Sequence, residues 1–176
     1  MRRTIVVELT DEEVDDHHSL ATKQCNAKED GIRENDSGYH RNHTMSDKND
    51  RALPHRIGMI GALAYAKYMG VGVNREVYTN HGDTIDFDGT EVKTSTWMKS
   101  NVELKVKVKE YKKKIPRKYV LARVNPANWR RVELMGEISR SEFDIKKRRR
   151  NYGNEDNWIV GVCDLHTVKK AARKHV

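Results

Sequence analysis

His81-Gly82-Asp83-Thr84-Ile85-Asp86-Phe87-Asp88-Gly89-Thr90-Glu91-Val92-Lys93-Thr94-Ser95 sets a two-residue turn, Asp88-Gly89, between two short alternating runs. Asp-Gly in that setting is a strong hairpin signal, because Gly takes the positive φ that a tight reversal needs. The turn fixes the register. Phe87 opposes Thr90, Asp86 opposes Glu91, Ile85 opposes Val92 and Thr84 opposes Lys93. Cross-strand partners share a face, so Asp86 and Glu91 project side by side with Lys93 two residues on, while Ile85, Phe87 and Val92 fill the core face. Two opposed carboxylates repel, and a purely structural strand avoids that pairing. A divalent cation removes the penalty, and oxygen ligands suit Mg²⁺ or Mn²⁺. Lys93 favours the ionised carboxylates and is placed to position or deprotonate a water. Asp83 lies three residues before Asp86 and faces away on a regular strand, so Asp86 is the preferred ligand and Asp83 an auxiliary one. The plain alternative is an exposed hairpin with a salt bridge.

Working outward, residues 56–69 form a strong helix: Ile57, Ile60, Leu63, Ala64 and Tyr68 recur at helical spacing and Gly70 stops it. Gly58, Gly61, Ala62 and Ala64 keep the helix slim, so it should pack closely on a sheet. Strands are expected at 71–78, 84–87, 90–96, 102–108, 118–123, 130–134 and 157–162. Val102, Leu104, Val106 and Val108 alternate with Glu103, Lys105 and Lys107. Ser139 or Ser141 caps a short helix running into 146–150, and Asp164 caps a last helix, 165–174. At the N-terminus, 3–9 is a strand. Thr10 and Glu13 make a capping box for an acidic helix reaching about residue 28. His17 and His18 are adjacent on that helix, point about 100° apart and cannot chelate together, so a solvated face is expected. Residues 30–54 read as a long polar connection. The order implies a mixed α+β (α/β) chain with a central mixed sheet flanked by helices. Residues 1–54 form an N-terminal extension and 55–176 the main domain.

The charge is segregated. The formal net charge is +8, yet residues 99–150 carry 18 basic and 6 acidic side chains while residues 1–54 carry 8 and 12. A local field of that sign attracts polyanions through phosphate contacts; a solvated basic face without a partner is the alternative. Only Cys25 and Cys163 are present, which fits a reducing compartment, the cytoplasm (of a host cell if the chain is viral). No apolar run reaches the roughly 18 residues of a spanning helix, and no secretory leader is visible.

The Asp86…Glu91-x-Lys93 arrangement across a hairpin resembles the PD-(D/E)XK nuclease superfamily, in its small phage and bacterial form. Gly58-Met59-Ile60-Gly61-Ala62-Leu63-Ala64-Tyr65-Ala66-Lys67-Tyr68-Met69-Gly70 is similar to the GxxGExAxAKYLG helix of those proteins, and Gly82-Asp83…Asp86-Phe87…Glu91-Val92-Lys93-Thr94 to their GDxGxDF…DVKTT core. Tyr119-Val120-Leu121, Val132-Glu133-Leu134 and Gly136-Glu137-Ile138 are similar to the following strands, and the likeness covers roughly residues 55–165. No Pro precedes Asp86, and Ala62 stands where relatives usually carry a Glu, which leaves one or two metal positions open.

The resemblance implies a restriction-endonuclease-like core, with a three-stranded meander bearing the motif, and metal-dependent hydrolysis of phosphodiesters in DNA. Asp86, Glu91 and the Val92 carbonyl would hold Mg²⁺ (or Mn²⁺), with Lys93 orienting the attacking water. Lys105, Lys107, Lys112, Lys113, Lys114, Lys146, Lys147, Arg148, Arg149 and Arg150 would grip phosphates. Trp97, Tyr111, Trp129 and Tyr152 lie near this region, where packing competes with base stacking as their use. A homodimer is expected where both strands are cut, with residues 3–28 as its joining element. Two other functions stay open: a catalytically weak nucleic-acid-binding protein of the same fold, and a phage factor acting on another protein through its acidic helix.

Overall fold

The computed structural model describes residues 3–32, 52–73, 85–153 and 155–170. The elements are β1 (Ile5–Glu8), α1 (Asp11–Ile32), α2 (Leu53–Met69), β2 (Thr90–Ser95), β3 (Glu103–Lys107), α3 (Val108–Lys113), β4 (Lys118–Asn125), β5 (Asn128–Ser139), α4 (Arg140–Lys146), β6 (Arg148–Asn151) and β7 (Asp156–Gly161), followed by a 3₁₀ turn, Val162–Asp164. They build a mixed α+β architecture with two sheets flanked by helices. The larger sheet has the order β1-β5-β4-β2, the smaller β3-β7-β6. β2 runs parallel to β4, whereas the other pairs in both sheets are antiparallel.

The larger sheet is buried on both faces, and alternation assigns its residues to one or the other. Val92, Val120, Ala122, Val124, Val132 and Leu134 pack against Ile60, Leu63, Ala64 and Tyr65 of α2, with Val7, Leu9 and Val14. Tyr119, Leu121 and Ile138 face the other way, onto Leu104, Val106 and Val160 of the smaller sheet and Phe143 of α4. Each Val, Leu, Ile or Phe among them contributes about 1.5–3 kcal/mol by leaving water. A bulge produces the switch on β5. Leu121 pairs with Gly136 and Ala122 with Leu134, so Met135 is the extra residue and the parity of the strand changes there.

Local signals hold at several points. Thr10 and Glu13 form the reciprocal capping box (Thr10 N–H to Glu13 Oε2 2.7 Å, Glu13 N–H to Thr10 Oγ1 3.1 Å). Ser139 caps α4 with Glu142 in the same way. α2 ends at Gly70 in the left-handed conformation. Its approach to the sheet is close: a Cβ on Gly61 would lie 1.9 Å from Thr94 Oγ1.

Other expectations are corrected. No three-stranded meander bears the motif: residues 85–87 are not a strand, β3 leaves for the second sheet, and β4 returns beside β2 in parallel. Residues 148–151 form strand β6 rather than the end of a helix, because Lys147 is already extended and Arg148–Asn151 pair with β7. Residues 165–170 are not helical. Both backbone groups of His166 bond Glu137 at 2.8 Å, and Val168 is buried against the α2 side of the sheet. His17 is buried, not solvated, with Nδ1 on the Glu13 carbonyl at 2.9 Å. Residues 71–73 are not strand, and 74–84, with His81 and Asp83, lie outside the described residues. β1 is the edge strand of the larger sheet, beside β5, and α1 packs on α2. Among the described residues no helix is long and apolar enough to cross a membrane.

Candidate functional site

The Asp88-Gly89 reversal is present. Phe87 and Thr90 exchange both backbone hydrogen bonds, at 3.1 and 3.0 Å. Gly89 has φ 69°, and a Cβ there would lie 2.2 Å from Arg117 Nε. The Gly89 carbonyl accepts from the N–H groups of Arg117 and Lys118 at 2.7 and 3.0 Å, which seats the turn on the start of β4.

Beyond that single bridge the two arms part, and the Asp86 side chain takes over. Its Oδ2 accepts from the Val92 N–H at 2.8 Å. β2 is an edge strand, so this amide points away from β4. The N–H and C=O of one strand residue point to the same side, so the Val92 carbonyl also faces the open edge, next to Asp86. Phe87 and Val92 pack into the α2-side core as expected.

Glu91 and Lys93 alternate with Val92 and project from the opposite face. Glu91 is 2% exposed. Its Oε1 accepts from Lys93 Nζ and Lys114 Nζ, both at 2.9 Å, and Lys93 Nζ also donates to Glu110 Oε2 at 2.6 Å. Glu91 Oε2 is buried and has no partner among the described residues. Asp86, Glu91, Lys93, Glu110 and Lys114 line one cleft of about 420 Å³, which runs along the open edge of β2 and is closed on the far side by α2, Ala62 included.

The electrostatics single out Asp86. Burial, with Glu91 nearby, lifts Asp86 from 3.8 to about 6, against the opposing effect of the Val92 N–H and the lysines. Burial also disfavours the Lys93 ammonium, but Glu91 and Glu110 outweigh it and hold Lys93 above the ordinary lysine value. Lys93 is thus held as an ammonium that donates to both carboxylates. Burial raises Glu110 and the lysines around it lower it, with a net result below the usual carboxylate value.

The donor set fits a hard divalent cation. Asp86 and Glu91, the latter with a buried oxygen that has no partner among the described residues, line the same cleft as the Val92 backbone, and oxygen donors of this kind suit such an ion. Among the described residues no group of three or more His, Cys, Asp or Glu side chains is arranged to hold a metal ion by itself.

Glu110 and Lys114 are the site residues that sequence reasoning missed. Lys114 was expected to grip phosphates, yet it turns inward to Glu91. Glu110 belongs to α3, a short helix with no side-chain cap, and Lys114 is the extended residue just past its end; their i, i+4 spacing is the one signal that would have joined them.

The remaining basic residues do not form one patch. Register puts Lys105 and Arg148 opposite Ile159, and Lys107 and Arg150 opposite Asn157, so these four share the outer face of the smaller sheet. Lys105 lies 4.0 Å from the Tyr152 ring centre and Arg150 bonds Glu103 at 2.9 Å. Lys107 pairs with Glu155 at 3.0 Å and also lines the cleft, joining the two surfaces. Arg149, on the other face, pairs with Asp156. Lys146 pairs with Asp164 at 3.6 Å, and Lys147 with Asp144 at 2.6 Å beside Tyr111. Lys112 and Lys113 are exposed on α3. Of the aromatic residues, Trp97 and Tyr152 are exposed, whereas Tyr111 and Trp129 pack against the cores.

Compared with family models, curated proteins and solved structures, the chain matches none.

Proposed function

We propose that this chain is a divalent-metal-dependent nuclease that hydrolyses phosphodiester bonds in DNA, with Asp86, Glu91 and Lys93 as its catalytic residues. The observation that carries the reading is that these three line one cleft, with a buried Glu91 oxygen that has no partner among the described residues. Asp86, Glu91 and the Val92 carbonyl would hold Mg²⁺ or Mn²⁺. The cation, when bound, polarises a phosphoryl oxygen and lowers the pKa of a water. Lys93, held as an ammonium, donates to a phosphate oxygen or orients the attacking water and offsets developing charge. Glu110 holds Lys93 through a second ion pair. The Lys105–Lys107–Arg148–Arg150 face, continuous with the cleft through Lys107, contacts phosphates on either side of the scissile one and carries no sequence information. Cutting both strands in one event would take a dimer with two such sites, and light scattering measures that directly.

A plasmid-nicking assay tests the reading: supercoiled DNA should be relaxed with Mg²⁺ or Mn²⁺ and untouched in EDTA. One observation favours a second reading, a binding protein with weak or no cleavage: Ala62 brings no carboxylate to its side of the cleft. That protein would shift DNA in a salt-sensitive way and leave the plasmid intact in every metal.

A further inference from the structure

Glu91 is shared by two lysines that are not equivalent. Lys93 also donates to Glu110 at 2.6 Å, so it keeps a carboxylate partner whatever Glu91 does. Lys114 has Glu91 as its carboxylate partner and, among the described residues, no second one. Its main chain is clamped: its N–H bonds the Glu110 carbonyl at 2.8 Å, and its own carbonyl accepts from Arg140 Nη1 at 2.8 Å. Arg140 also bonds the Tyr111 carbonyl at 3.2 Å and lies over the Tyr111 ring, which pins the end of α3. With the backbone fixed, the movable part of Lys114 is its four-carbon stem, which can swing the ammonium off Glu91.

We infer that Lys114 is a built-in counter-cation, which neutralises Glu91 in the metal-free protein and competes with a divalent cation for that carboxylate. The inference rests on the metal reading of this site. A carboxylate already facing two ammoniums attracts a further cation less than a free one does, because like charges at such distances repel strongly where water is scarce. Removing the Lys114 charge should therefore tighten metal binding. Loss of a mere structural support, or of a phosphate grip, would not tighten it.

The test is Mn²⁺ titration of the full chain without DNA, following free Mn²⁺ by electron paramagnetic resonance, with circular dichroism to verify folding. Lys114→Met should lower the Mn²⁺ Kd at least about tenfold, equivalent to about 1.4 kcal/mol. Lys114→Arg should stay near the wild-type value, and Glu91→Gln should bind far more weakly. If Lys114→Met does not fold, Lys114→Gln serves in its place. A neutral variant that binds Mn²⁺ no tighter than wild type, while Glu91→Gln loses binding, overturns the inference and leaves the metal site standing. A wild-type chain that binds no Mn²⁺, or binding indifferent to Glu91→Gln, overturns the metal reading and the inference with it.

Discussion

Asp86→Asn separates the stability of this protein from its chemistry. The folded chain holds Asp86 at about 6 against an ordinary 3.8, first through burial and then through Glu91. A folded value above the unfolded one means that the native state keeps a proton the unfolded chain has already released. Stability therefore falls as pH rises from about 4 to about 6, and stays reduced above that. At 1.36 kcal/mol per pKa unit the cost is on the order of 3 kcal/mol at pH 7, an upper bound. Asn removes it, and its carbonyl oxygen can still accept from the Val92 N–H. In EDTA at pH 7–8, Asp86→Asn should thus be more stable than wild type by about 1–3 kcal/mol. For a chain of this size that is roughly 2–12 °C in the unfolding midpoint. The advantage should shrink below pH 6 and vanish near pH 4. Saturating Mg²⁺ should raise the wild-type midpoint and leave the variant unmoved. Urea or thermal unfolding across that pH range reads all of this. A variant less stable than wild type by the same amount at every pH would refute the reasoning.

Three further outcomes are expected. Replacing Lys105, Lys107, Arg148 and Arg150 together by Gln should weaken binding to unrelated DNA sequences about equally and flatten the slope of log affinity against log salt in a fluorescence-anisotropy titration; a sequence-selective loss would mean that these residues reach base edges. Gly61→Ala drives a methyl group into Thr94 Oγ1 and should lower the unfolding midpoint by the equivalent of about 1–3 kcal/mol, whereas Gly58→Ala, with nothing within 4 Å, should be neutral or stabilising. Phe143→Ala empties the centre of the core between the two sheets and should cost about 3–5 kcal/mol in urea denaturation.

The elements legible in the sequence are those fixed by neighbours along the chain. The Asp88-Gly89 turn, the Thr10 and Ser139 capping boxes, the Gly70 stop and the β3 alternation are all written within a few residues. What was not legible depends on distant partners. Leu104 and Val106 alternate identically whether β3 lies beside β2 or in a second sheet, so alternation could not separate a meander from a crossover. Arg148-Arg149-Arg150 has no strand propensity of note and is extended because β7 lies beside it. His166 is drawn out of helix by Glu137, 29 positions earlier. At the site, the Asp88-Gly89 turn was legible, but the arms part after one bridge, so Asp86 meets the Val92 N–H through its side chain instead of pairing with Glu91 across a ladder. Glu110 sits on a six-residue helix and Lys114 just past its end, within a run of lysines where the i, i+4 spacing is the one local mark that joins them.

The central claim is that Glu91 and Asp86 hold a metal that cuts DNA. The most direct measurement is cleavage of supercoiled plasmid by the wild-type chain and by Glu91→Gln, each purified under identical conditions and assayed in Mg²⁺, in Mn²⁺ and in EDTA. The account predicts metal-dependent conversion to nicked or linear product by the wild type, none in EDTA, and none by Glu91→Gln in either metal, although that variant still shifts DNA in a gel. Cleavage by Glu91→Gln at the wild-type rate, or wild-type cleavage that persists in EDTA, would contradict it.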